Sequence, residues 1–276
     1  PVRYARRCTV VTVYDLNVFH ARADFGAYSR WLAGRRFRTL KKAHRIITIS
    51  DYVRDQLRQA FPELTDRIVT VHLGLSFSPR IPTAKKDDTF LYVGGIGPNK
   101  NLLRLIDAFA LLRAATDLPC RLRLVGPVIQ PDYQRELEEK VRTHGLDDVV
   151  TFAGEQSDDE VAEAYQHAAY FVFPSLREGF GLPLIEAQAN GCACVASQAT
   201  CLPEIGGDGA LYVDPEDTDA LARALLRVRT QPALRAQLTE RGQLNASRFS
   251  WRRCARETMR VYEDALRSAN RERSPA

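Results

Sequence analysis

Tyr170-Phe171-Val172-Phe173-Pro174-Ser175-Leu176-Arg177-Glu178-Gly179-Phe180-Gly181-Leu182-Pro183-Leu184-Ile185-Glu186-Ala187-Gln188-Ala189-Asn190-Gly191 reads as a strand, a glycine-rich loop and a helix in succession. Pro183 suits the first helical turn, where a missing N–H costs nothing, and Gly191 suits the left-handed stop. The helix N-terminus therefore points back into the loop that holds Glu178. In an open α/β sheet, ligands collect where strands end at their carboxyl sides and helices begin, so such loops are the places to look for chemistry.

Working outward, the same alternation repeats. Strands are expected at Thr89–Val93, Arg121–Val125, Val149–Phe152 and Ala193–Ser197, and helices at Asn101–Arg113, Asp132–Thr143, Asp158–Ala168 and Asp217–Val228. Repeated βα units of this length predict a doubly wound parallel sheet. Gly74–Asp88, with two prolines and no apolar period, reads as an interdomain linker. Before it, a strand opening at Cys8, a helix near Tyr28–His44, a strand Arg45–Ile49, a helix Asp51–Ala60 and a strand Ile68–Val71 are too few to close a domain comfortably. With Pro1 at the start, this half is expected to be the remnant of a larger domain. The resulting division is a partial domain over residues 1–80, a second domain over 81–250, and a C-terminal helix and tail over 251–276.

Composition narrows the class. The chain of 276 residues is 45% hydrophobic and 26% charged, enough for two modest cores. No run approaches the roughly 18 apolar residues of a membrane span, and a cytoplasmic location is expected. Six scattered cysteines give no disulfide framework, and Cys192, Cys194 and Cys201 lack the paired knuckles of a zinc site, so no metal is expected. Residues 1–80 hold 15 Lys and Arg against 6 Asp and Glu, a charge of +9, whereas the rest hold 24 against 28, or −4. The excess concentrates in Arg30–Arg45, where Trp31, Leu32, Phe37, Leu40 and Ala43 lie among cations. A basic amphipathic helix fits this pattern, either packed on a sheet with a solvated charged face or drawn to an anionic membrane. Nucleic acid is not expected as a partner.

Tyr92-Val93-Gly94-Gly95-Ile96-Gly97-Pro98-Asn99-Lys100-Asn101 is a second strand-to-helix loop. Its glycines let backbone approach a ligand, and Lys100 adds a positive charge where a diphosphate could sit. It matches neither the dinucleotide fingerprint nor the P-loop, and a tight structural turn explains it equally well. Glu178 and Glu186 can likewise be read as helix-start carboxylates, or as a pair in which one reaches a sugar and the other a ribose.

Taken together these residues resemble the family-4 glycosyltransferases of the GT-B fold, whose donor motif Glu-x7-Glu appears here as Glu178 to Glu186 around Gly-Phe-Gly-Leu-Pro. The resemblance extends to Leu91–Gly95 with Lys100-Asn101, Leu124–Pro127, Phe152–Gly154, Leu202–Gly206, Ala210–Pro215, Phe249–Trp251, Asp15-Leu16 and Arg45–Ser50. It implies two Rossmann-like doubly wound domains facing a cleft, the N-terminal one incomplete. It also implies retaining, metal-independent transfer of a hexose, of mannose or glucose type, from a nucleoside-diphosphate sugar to a glycan or lipid-linked acceptor, without a cofactor. Glu178, Lys100 and Asp15 are the implied catalytic residues. Gly94, Gly95, Lys100, Gly126, Gly154, Glu178, Phe180, Gly181, Leu182 and Glu186 are the implied donor-binding set. Peripheral contact with the inner membrane face through Arg30–Arg45 is a further expectation. Two positions depart from the family pattern: Gly95 stands where many members have Arg, and Tyr14 where many have His. Alternative readings are another GT-B enzyme, such as a nucleotide-sugar epimerase, and a noncatalytic sugar-nucleotide or nucleic-acid binder.

Overall fold

In the computed structural model the described residues are 8–16, 40–75 and 86–271. They fall into two compact units, one of which takes the described residues up to Gly74 and resumes at Phe249, while the other spans Leu75–Arg248. Most of the basic Arg30–Arg45 segment lies outside the described residues.

The first unit is built on a three-stranded parallel sheet in the order β1 (Val10–Val13), β2 (Arg45–Thr48), β3 (Ile68–Thr70). Helix α1 (Asp51–Ala60) starts where the Ser50 hydroxyl accepts a hydrogen bond from the Val53 N–H at 3.2 Å. Its buried Val53 and Leu57, one turn apart, pack with Ile46, Leu64 and Ile68 on one face of the sheet. The other face is covered from far along the chain. The last helix, Trp251–Arg271, lays Val261 on Ile47 and Val71, and its Asp264 accepts from Arg45 Nε at 2.6 Å. The segment expected as a separate C-terminal element is thus part of the first unit. A Cβ added at Gly74 would stand 2.2 Å from the Trp251 backbone nitrogen, so the chain leaves this unit and returns to it at one point.

The second unit carries six parallel strands in the order β6-β5-β4-β7-β8-β9. They are β4 (Asp87–Val93), β5 (Arg121–Val125), β6 (Val150–Gly154), β7 (Ala168–Phe173), β8 (Ala193–Ser197) and β9 (Ala210–Val213). The connecting helices are α2 (Leu102–Ala115), α3 (Pro131–Thr143), α4 (Asp158–His167), α5 (Leu182–Ala189) and α6 (Leu202–Gly206), followed by α7 (Thr218–Thr230) and α8 (Pro232–Ala246). The helix Trp251–Arg271 is accordingly α9. All six residues of β7 are buried, as a strand covered on both faces requires. Phe90 of β4 stacks on Tyr170 of β7 with ring centroids 4.5 Å apart, fastening the two central strands. Between α2 and α3, Asp107 accepts from Lys140 at 2.6 Å and lies 2.9 Å from His144 Nε2. Partial burial raises the Asp107 carboxyl, but the hydrogen bonds and charges of Lys140 and His144 outweigh it and hold the carboxyl below its usual range.

Several elements differ from the sequence-based expectation. β4 begins two residues earlier, because the Lys86 ammonium donates to the carbonyls of Tyr165 at 3.0 Å and Ala168 at 2.8 Å and anchors what reads as linker. β9, α6 and α8 were absent from the expected elements. α6 is a five-residue turn, and α8 buries Leu238, Gly242, Asn245 and Ala246, a set with almost no apolar stripe to read.

Candidate active site

In the second unit the strand order reverses direction between β4 and β7. The crevice outside the carboxyl ends of those two strands is the site such a sheet offers a ligand. The loops that flank it carry Lys100, after β4, and Glu178, after β7. Their side chains meet: Lys100 Nζ lies 2.6 Å from Glu178 Oε1, with only 18% and 14% of the two side chains exposed. A half-buried ion pair between residues 78 apart in sequence requires both loops to be held, and each is.

Pro98–Lys100 forms a 3₁₀ turn that ends in Asn101 at φ 60°, a left-handed conformation uncommon outside glycine. Asn101 is held there by its own side chain. Its amide donates to the carbonyls of Pro174 at 3.2 Å and Pro215 at 2.7 Å, and its oxygen accepts from Arg104 at 2.8 Å. The Leu176 N–H donates to the Asn99 carbonyl at 2.9 Å, tying the β7 loop directly to the β4 loop. Lys100 Nζ also lies 5.8 Å from the centre of the Phe173 ring, a cation–π distance. Beneath the pair, the Tyr92 hydroxyl donates to the Gly95 carbonyl at 3.1 Å. Burial pushes the Tyr92 phenol well above its ordinary value, and the nearby Glu178 charge adds to the effect.

The glycines divide by cause. Gly126 sits at φ 141°, and a Cβ there would stand 2.1 Å from the Gly94 carbonyl oxygen, so the β4 and β5 loops touch backbone to backbone. The Gly126 N–H in turn donates to the Gly154 carbonyl at 2.8 Å. Gly154 closes the edge strand β6, two strands from β4 and so about 10 Å away in the sheet. A Cβ at Gly95 would meet Ile129 at 2.9 Å. Gly181, at φ 94°, opens α5, and a Cβ there would press on Leu202 Cδ2 at 2.7 Å. It supplies no side-chain cap, and Leu182 and Pro183 follow as the first helical residues. The helix start therefore presents N–H groups toward the crevice side of the sheet.

Phe180 is buried, and Glu186 is only 7% exposed on the second turn of α5. Glu186 Oε2 accepts from the Tyr165 hydroxyl at 3.2 Å, a contact that nothing in the sequence announced. Burial, and next the Glu186 charge, push the Tyr165 phenol up. Asp15 is exposed after β1 in the first unit, beside Tyr14, which is 59% exposed. The cysteines weighed above as ligands turn their thiols to separate carbonyls: Cys192 to those of Tyr165 and Ala168, Cys194 to that of Cys192, and Cys201 to that of Glu178. Burial pushes all three thiols up.

Comparison with known proteins shows the family and the fold. Residues 76–245 match the family described as glycosyl transferases group 1. The O-antigen chain mannosyltransferase B of Escherichia coli is 31% identical over 92% of this chain and 70% of its own length. RfbU, an O-antigen chain mannosyltransferase of Salmonella typhimurium, is 28% identical over 82% of this chain, which spans 62% of it. Among solved structures, sucrose-phosphate synthase of Thermosynechococcus elongatus is 25% identical with a TM-score of 0.75, over 94% of this chain and 68% of that one. HepE of Anabaena, solved with UDP and glucose, is 19% identical with a TM-score of 0.77, over 94% and 72% of the two chains. The chain belongs to the group 1 glycosyl transferases and has the GT-B fold. Among the described residues no helix is long and apolar enough to cross a membrane.

Proposed function

We propose that this chain transfers a hexose, mannose by preference, from a nucleoside-diphosphate sugar to a glycan or lipid-linked acceptor, with retention of anomeric configuration and without a metal or cofactor. The observation that carries the reading is the Lys100–Glu178 pair at the β4/β7 crevice, 2.6 Å apart and largely shielded from solvent. A diphosphate leaving group gains negative charge as the glycosidic bond breaks, and a preorganised cation and helix-start N–H groups lower that barrier. Lys100, with the backbone at Gly94 and Gly95, is suited to hold the diphosphate. Glu178 is suited to the hydroxyls of the transferred sugar, with Phe180, Gly181 and Leu182 shaping the floor, and Glu186 to the ribose. Asp15, exposed after β1 in the first unit, is assigned a catalytic role by the family resemblance alone. Mannose is favoured because relatives at about 30% identity are described as mannosyltransferases.

The test is calorimetric titration with GDP-, UDP- and ADP-sugars. One of them binds saturably, and Lys100→Ala weakens the binding about tenfold without lowering the melting temperature by more than a few degrees. A folded chain that binds none of the three refutes the proposal. Contact of Arg30–Arg45 with an anionic membrane belongs to the same reading. It calls for stronger sedimentation with anionic than with neutral liposomes at low salt, and equal sedimentation refutes it.

A further inference from the structure

Glu178 lies in a glycine-flanked loop, yet it is held in place by the neighbouring loop after β8. Three contacts converge there. The Glu178 N–H donates to the Thr200 hydroxyl oxygen at 3.3 Å, the Cys201 thiol donates to the Glu178 carbonyl at 3.4 Å, and Leu202 fills the space beside Gly181. Both polar groups of the Glu178 peptide backbone are thus taken by consecutive residues of one loop.

Thr200 makes its contact at a cost. It adopts φ 58°, and Asn101 is the one other non-glycine with positive φ among the described residues. For a β-branched side chain this conformation is an outlier, kept only where the surroundings dictate it. The two left-handed residues, Asn101 and the strained Thr200, thus flank the Lys100–Glu178 pair, one after β4 beside Lys100 and the other after β8 against Glu178. Glycine would relieve the strain at position 200, but it could not offer the hydroxyl that Glu178 uses.

We infer that Thr200, with Cys201, is the positioning residue for Glu178. Its hydroxyl fixes the peptide from which the carboxylate reaches toward the donor sugar, and so it sets the preference for intact sugar nucleotide over the bare nucleoside diphosphate. The inference rests on the donor-binding reading above. Thr200 does not touch the donor and acts through Glu178.

The test compares affinities for GDP-mannose and GDP, with UDP-glucose and UDP as a second pair, in the parent chain and in Thr200→Val, Thr200→Ser and Cys201→Ala. Thr200→Val keeps the β-branched shape and the strain and removes only the acceptor. Losing one such hydrogen bond lowers the ratio of sugar-nucleotide to nucleotide affinity by about fivefold. Thr200→Ser restores the ratio, and Cys201→Ala lowers it less, because a thiol is a weak donor. Retained melting temperature in Thr200→Val separates misplacement of Glu178 from unfolding. A ratio within threefold of the parent in Thr200→Val, or one not restored by serine, overturns the inference while leaving the proposed function standing. A parent chain that binds neither pair overturns both.

Discussion

Glu178→Gln is predicted to tighten binding of the bare nucleoside diphosphate even as it abolishes sugar transfer. Lys100 is engaged at 2.6 Å by Glu178. A diphosphate that binds Lys100 must loosen that contact and settle near a carboxylate of like charge. At an effective dielectric of about 20, the bare attraction across this distance is about 6 kcal/mol, an upper bound that desolvation reduces. Hydrogen bonds to charged groups have a net worth of about 1.5–3 kcal/mol. Glutamine keeps the shape and removes the charge, so the nucleotide no longer competes with an ionised partner. The expected gain is about tenfold or more in affinity for GDP or UDP, with a smaller gain at high salt. Titration of parent, Glu178→Gln, Lys100→Ala and the double variant forms the assay, and the gain vanishes when Lys100 is absent. Affinity for the nucleotide that is unchanged or weaker in Glu178→Gln refutes the reasoning.

Four further variants have expected outcomes. Gly126→Ala, which drives a Cβ to 2.1 Å from the Gly94 carbonyl oxygen, destabilises the second unit by about 2–4 kcal/mol in denaturant titration. Gly154→Ala, at φ 69° with nothing within 4 Å, costs only about 1 kcal/mol, and equal costs would contradict the backbone-contact account. Asp107→Asn lowers the melting temperature by about 2–4 °C near neutral pH, since its pairs with Lys140 and His144 are only partly shielded. The folded carboxyl is depressed, so its contribution is present above the unfolded value of about 3.9 and fades as pH falls through the folded value. The gap between parent and variant therefore closes in scans below about pH 4, and a gap that persists there argues against the pairing. Lys100→Ala stops turnover while leaving the second unit folded, as a melting scan beside an activity assay will register.

Much of this arrangement was legible because its physics is local. β5 and β8 were readable to the residue, β5 because its leucines alternate with arginines and β8 because it falls within the regular succession of strands and helices. Glu178 and Lys100 stood out as charges in glycine-rich strand-to-helix loops. Their direct contact was not readable, because it depends on strand order, which brings loops 78 residues apart to adjacent strands. Glu186 read as a helix-start carboxylate or a ribose ligand, and neither reading foresaw that it is buried against Tyr165, 21 positions away. Thr200 left no signal at all, since left-handed backbone at a β-branched residue runs against its propensity and is imposed by tertiary contacts. Helix α8 went unread for a related reason: beside Leu238 its buried side is made of Gly242, Ala246 and a hydrogen-bonded Asn245, which packs by small size and polar pairing.

The path of the chain, which leaves the first unit at Gly74 and resumes it at Phe249, orders events during synthesis. A ribosome delivers the whole second unit before the helix that covers Ile47 and Val71 exists. The second unit can therefore fold as it emerges, whereas the first waits with one face of its sheet bare until Trp251–Arg271 has been made. A premature stop shortly after residue 248 would release a molecule with a finished second unit and a sticky, unfinished first one, the kind of product that chaperones and proteases act upon.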